Sequence, residues 1–137
     1  MSVTPVVDLA LGKPVTASSS AVGLEVRNVV DGTSGSRWES LPGVAPGAEA
    51  WVRVDLGRTQ AIGRVRLNWA SAFASGYRVQ VSDDDATWTD IYATTTGDGN
   101  VDELLNLSVS ARYVRLIADT PSAAAGPIAI NDFNVYT

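Results

Sequence analysis

The chain has 137 residues, 45% of them hydrophobic and 18% charged, with no Cys, no His and a net charge of -5 from 15 acidic and 10 basic groups. This excludes a disulfide framework, a zinc site of the usual nitrogen and sulfur type, a thiol nucleophile and an imidazole base, so any catalysis would have to run on carboxylates, hydroxyls or Arg. Nine Arg and the single Lys13 are scattered among the carboxylates, which argues against the clustered basic surface that nucleic acid or an anionic membrane requires.

The length suits one domain spanning residues 1–137, near the common size of roughly 100–150 residues. Met1-Ser2 leads straight into domain-like sequence with no charged and apolar leader, and no apolar stretch approaches the ~20 residues of a membrane-spanning helix. Residues Pro14 to Pro46 are rich in Ser, Gly and Pro, with apolar islands at Val29-Val30 and at Trp38. They read as long structured loops around a short strand, and loops of that length in a small domain carry function or a bound ion.

From Trp51 onward the period is two. Val52, Val54 and Leu56 oppose Trp51, Arg53 and Asp55; Val65, Leu67 and Trp69 oppose Arg64, Arg66 and Asn68; Tyr77, Val79 and Val81 oppose Arg78, Gln80 and Ser82. These predict strands with one buried and one wet face. Further strands are expected over 88–92, 101–107, 111–118 and 128–136, divided by turn clusters at Ser82-Asp83-Asp84-Asp85, Gly97-Asp98-Gly99-Asn100 and Pro121–Pro127. No window shows a sustained helical period, so the fold class is all-β, a β-sandwich or jelly roll with about eight main antiparallel strands. The Asp83-Asp84-Asp85 run fits a hairpin turn, where Asp caps the backbone, better than a catalytic carboxylate pair.

Six segments in order carry a resemblance: Leu9 to Ser19; Asn28-Val29-Val30-Asp31-Gly32 followed by Arg37-Trp38; Trp51 to Gly57; Tyr77 to Ser82 with Trp88; Ala111 to Leu116; and Ile130 to Tyr136. Together they resemble the coagulation factor 5/8 type C, or discoidin, domain over nearly the whole chain. Leu67 to Phe73 and the loop Gly97 to Asp102 are most similar to the bacterial carbohydrate-binding modules of family 32. The resemblance implies a distorted jelly roll, a structural calcium ion and a shallow sugar site in loops at one end, without catalysis.

Calcium seeks six to eight hard oxygen ligands, and the turn holding Asp31, Gly32, Thr33 and Ser36 offers a carboxylate, two hydroxyls and several carbonyls. The resemblance adds Asn28 to this set and completes it with Asp132, one methylene shorter than the Glu usual before the aromatic of the last strand. Without an ion, the same residues would simply make a turn and a solvated strand end.

A sugar site needs an aromatic face for the C–H side of a pyranose and planar polar groups for its hydroxyls. Arg37, Glu39 and Glu25 lie in the early loops and Phe73 follows the strand that ends at Trp69; by family position Arg37 and Phe73 lead, with Trp69 as a possible flank. Two departures bear on the ligand: Ala70 replaces an acidic residue that some relatives carry after the Trp, and Ala123-Ala124-Ala125-Gly126-Pro127 lacks a Tyr often found there. A carboxylate-poor site suits a neutral poly- or oligosaccharide better than a cationic one.

The expected function is a monomeric, secreted carbohydrate-binding module that tethers a parent glycoside hydrolase or related enzyme in cis. Three alternatives stay open. A discoidin-type module binding a protein or phospholipid would show exposed apolar or basic loop tips, and an early loop with Leu41, Val44 and no Lys speaks against membrane use; a structural spacer would bind no glycan; a small carboxylate hydrolase would release reducing sugar.

Overall fold

The computed structural model describes residues 7–33, 35–42, 50–123 and 126–137. Val44, Ala124 and Ala125, singled out above, lie outside the described residues. Strands β1 (Val15–Ala17), β2 (Trp38–Glu39), β3 (Ala50–Ile62), β4 (Arg64–Trp69), β5 (Ala74–Ser82), β6 (Thr89–Thr94), β7 (Val101–Leu104), β8 (Val109–Pro121) and β9 (Ala129–Tyr136) form two antiparallel sheets. The larger sheet runs β1-β3-β8-β5-β6 and the smaller β2-β9-β4-β7. This is the expected β-sandwich, with nine strands among the described residues rather than eight.

The extra strand comes from the early loops. Their apolar islands separate into a five-residue 3-10 turn at Val26–Val30 and the two-residue β2, while β1 forms ahead of both. Val29 and Val30 sink into the core from the turn. Trp38 is wholly enclosed, and its indole N–H donates to the Ser19 carbonyl at 2.9 Å.

Inward positions follow the two-residue period closely. Val52, Val54 and Leu56 of β3, Val114 and Leu116 of β8, and Tyr77 and Val79 of β5 face Val65 and Leu67 of β4 and Phe133 and Val135 of β9, all buried in one core between the sheets. Burial of such side chains contributes roughly 1.5–3 kcal/mol each, which is what closes the sandwich.

The outer face of the larger sheet differs from the wet face expected. Gln80 and Ser82 are buried there, at 6% and 4% exposure. Arg115 donates two hydrogen bonds to the Gln80 amide oxygen and lays its guanidinium 3.9 Å over the Trp88 ring. Arg112 forks onto Asp55 at 2.9 and 3.0 Å and lies 5.0 Å over Tyr113, and Arg78 pairs with Asp119. Planar guanidinium groups on long apolar stems roof the sheet where water was expected. Trp88 and Tyr113 are half-buried within this layer.

At the β5–β6 connection Asp84 accepts N–H bonds from Ala86 and Thr87, which hold its carboxyl down to about 2, and Asp85 takes the left-handed φ of 61°. The acidic run is therefore a backbone cap, as read from the sequence.

Asp55 is held below the usual carboxylate range first by the Arg112 hydrogen bond, with the Gly57 N–H adding to it against a partial desolvation penalty. A depressed native pKa stabilises the fold above the unfolded value and is lost as pH falls through the native one. Asp55→Asn should therefore lower the thermal midpoint near neutral pH, with the difference closing as both proteins are taken below the native Asp55 pKa; melting curves across that range measure it.

Candidate functional site

One end of the sandwich gathers the segments flanking β2 and the β4–β5, β6–β7 and β8–β9 connections. The segment ahead of the 3-10 turn is pinned to β2 by Ala21 N–H donating to Glu39 O at 2.8 Å and Glu39 N–H donating to Leu24 O at 3.2 Å. Ser40 binds Ile128 in both directions, its N–H donating to the Ile128 carbonyl and its hydroxyl oxygen accepting the Ile128 N–H. Ala70 donates to Ala129 O and Ala129 donates to Ala72 O, while Ser122 donates to Phe73 O.

These contacts place the sugar-site residues expected from the sequence. Arg37 and Glu39 sit together, Nε to Oε1 at 3.4 Å, with Arg37 the more exposed. Glu25 is exposed beside Arg27 at 3.9 Å. Glu39 is in register with Ala129, whose N–H reaches Ala72 next to Phe73. Phe73 therefore lies at the same end of the fold as the Arg37–Glu39 pair.

Phe73 is only half free, because its ring packs on the core and on buried Gly99: a Cβ on Gly99 would stand 2.9 Å from Phe73 Cδ1. Gly99 has φ of 77°, so a side chain there is refused both by conformation and by the ring.

Trp69 does not reach the surface, which corrects its expected part in the site. It is 4% exposed; its indole N–H donates to Asp102 Oδ2 at 3.0 Å and its ring meets Tyr77 at a centroid separation of 5.0 Å. The inward alternation of β4 continues to its last residue, leaving no free indole face. Tyr77 also donates to Asp102 Oδ2, at 2.6 Å, and its phenol pKa is raised above the ordinary range by burial and then by that carboxylate.

A hollow of about 280 Å³ opens beside Arg37, lined by Gly23, Leu24, Asn28, Gly35, Ser36 and Asn131 as well. Asn131 was not legible as a site residue. It is the extra residue of a register shift in β9, where Asn68 opposes Asp132 but Trp69 opposes Ile130, marked in the sequence only by the three-residue step from inward Ile130 to inward Phe133.

The calcium candidates divide between two elements. Asp31 accepts the Thr33 N–H on one oxygen and the Ser36 hydroxyl on the other, and Asn28 donates to the Arg37 carbonyl at 2.9 Å, so the 28–37 loop is closed by its own donors. Asp132 is 7% exposed, and its pKa is raised mainly by that burial, with Asn68 as a long hydrogen-bond donor at 3.5 Å and Asp31 and Asp8 adding repulsion. Among the described residues no three carboxylates converge on a point suited to a metal ion. The donor chemistry still fits calcium: Asp132 is buried with only the long Asn68 bond and the Arg66 charge to offset it, and Asp31, Thr33 and Ser36 supply hard oxygens on the loop whose charge it feels.

Ser40 is completely buried. Replacing it by Ala removes the oxygen that satisfies the Ile128 N–H, and Ser40→Ala should lower unfolding stability by about 1–3 kcal/mol in urea titrations.

The chain matches the family model described as F5/F8 type C, NedA-like, galactose-binding domain over residues 28–116. No curated protein sequence matches it. Among solved structures it is similar to chitosan-binding module 1 of a chitosanase/glucanase from Paenibacillus sp. IK-5, with 40% identity, 95% of this chain and 98% of that one covered and a TM-score of 0.88. Module 2 of the same enzyme, solved with chitotriose, gives 40% identity, 95% and 100% coverage and a TM-score of 0.86. The family 32 module of Clostridium perfringens NanJ, solved with galactose, shares the fold at 16% identity, 96% and 98% coverage and a TM-score of 0.82. With that match over the greater part of its length, the chain belongs to the F5/F8 type C family of NedA-like, galactose-binding domains.

Proposed function

We propose that this chain is a non-catalytic sugar-binding module whose loop end holds a secreted parent glycoside hydrolase on its glycan. The observation that carries the reading is 40% identity over 95% of the chain to modules named for chitosan binding, combined with the Arg37–Glu39 pair and the half-exposed Phe73 at the loop end. Tethering raises the local concentration of substrate without altering the chemical step. Affinity per site is modest, because sugar hydroxyls exchange water bonds for protein bonds at small net gain.

A neutral oligosaccharide is the ligand we favour. Glu39 is matched by Arg37 and Glu25 by Arg27, and position 70 is Ala, so the two Glu of the early loops are already paired. The second reading, a cationic amino-sugar chain, is favoured by the names of the Paenibacillus modules. Isothermal titration with galactose, N-acetylglucosamine oligomers and chitotriose separates the two, and heat from none of them removes the sugar-binding reading in favour of a spacer or protein-binding role.

Arg37→Ala should weaken the sugar that binds by about tenfold, with an unchanged thermal midpoint, since Arg37 is largely exposed and its pair with Glu39 is a surface one. Phe73→Ala should weaken binding and also lower the midpoint, because the ring packs on the core. Wild-type affinity in both variants would remove these residues from the site.

We also propose a structural calcium ion held by Asp31, Thr33, Ser36 and Asp132, with Asn28 shaping the loop. It would join the early loop to β9 and supply no chemistry. A ligand bound only by the native state stabilises it by about 2.7 kcal/mol at a hundredfold excess over Kd. Calorimetric scans should therefore show a higher midpoint in calcium than in EDTA, with the increment abolished by Asp132→Ala; identical midpoints for the wild type would exclude the ion.

A further inference from the structure

Asp102 lies on β7, in register with Leu67 of β4 and away from the loop residues named above. One of its oxygens, Oδ2, accepts from two buried donors at once: the indole N–H of Trp69 at 3.0 Å and the phenol of Tyr77 at 2.6 Å. Trp69 and Asp102 belong to the smaller sheet and Tyr77 to the larger, so this single carboxylate oxygen joins the two sheets at the loop end. Hydrogen bonds to an ionised acceptor are about twice as strong as neutral ones, and buried donors left without a partner cost the full desolvation penalty.

Trp69 and Asp102 stand where the loops join the strands. Trp69 is the last residue of β4, directly ahead of the turn that carries Phe73, and its backbone N–H donates to the Asn100 carbonyl at 2.8 Å. Asp102 follows the 97–100 turn by two residues. That turn is tied to β5 by Gly97 N–H donating to Ser75 O at 2.8 Å, and it presents buried Gly99 as the floor under the Phe73 ring. Asp102 thus fixes the turn bearing the ring against the turn the ring rests on, and a displacement of a few tenths of an ångström at either end is felt where ring and backbone already touch.

We propose that Asp102 is a positioning residue of the loop site: by holding Trp69 and Tyr77 on one oxygen it sets the Phe73 ring on Gly99 in the orientation that meets a sugar. The inference rests on the sugar-binding reading above, but its structural half is measurable without any ligand.

The test follows two signals in the intact 137-residue chain: the nuclear Overhauser contact between the Phe73 ring and Gly99 Hα, and the affinity for galactose or chitotriose, whichever the wild type binds more tightly. Asp102→Ala should abolish the contact and weaken binding by roughly tenfold, within the range that residues acting through neighbours produce. Asp102→Asn should retain both, because its amide keeps an oxygen that can accept both bonds. Tyr77→Phe removes one donor of the two and should show the same change in part, which covers the case of an Asp102→Ala chain that does not fold. Asp55→Ala breaks the ion pair to Arg112 on the larger sheet's outer face and should cost stability without touching either signal.

Wild-type contact and affinity in Asp102→Ala, or equal weakening in Asp55→Ala, would overturn the proposal. A wild type that binds neither sugar defeats the functional reading instead, and the Overhauser contact then still decides whether Asp102 sets the ring.

Discussion

The first residues of β9 are shared by neighbours on both sides, and the loop end takes its shape from that sharing. Ala129 is in register with Glu39 of β2, receives the N–H of Ala70 and donates its own to Ala72. Ile130 faces Trp38 on one side and Trp69 on the other. Backbone groups so placed cannot be left unpaired inside a protein. The two loops with candidate sugar contacts are therefore held by main-chain bonds to a common strand as well as by their own side chains. Loop sequence can vary under such an arrangement while loop position does not.

Much of the sandwich was legible because burial imposes a two-residue period that survives in the sequence. Val52 to Leu56, Val65 to Trp69 and Tyr77 to Val81 all point as the alternation predicts. The early loops were less legible. Val29-Val30 is as apolar as a strand fragment but forms a 3-10 turn, since two adjacent buried residues carry no period. Gln80 and Ser82 were read as wet because polarity marks the outward face, and no local pattern reveals that Arg115, 35 residues from Gln80, would fold across it.

The site was legible to a similar depth. Family position and placement in the loops picked out Arg37, Glu39 and Phe73, which the strand pairings put at one end of the fold without showing that they bind a sugar. Trp69 was drawn into the set by standing last in its strand, yet the need of its indole for a buried acceptor turned it inward to Asp102. Asn131 escaped because a bulge has to be seen in pairing, and Asp102 because its partners lie 33 and 25 residues away.

The guanidinium layer over the larger sheet bears on how the molecule can approach a solid polysaccharide. Flat crystalline chains are gripped by bare aromatic rings arranged in a plane, and here the rings of Trp88 and Tyr113 already carry Arg115 and Arg112 across them. A broad side that might have lain flush against a fibre is thus dressed in ions and their water. On the sugar-binding reading proposed above, contact would pass to the narrow rim of loops, and few sugar units would be covered at a time.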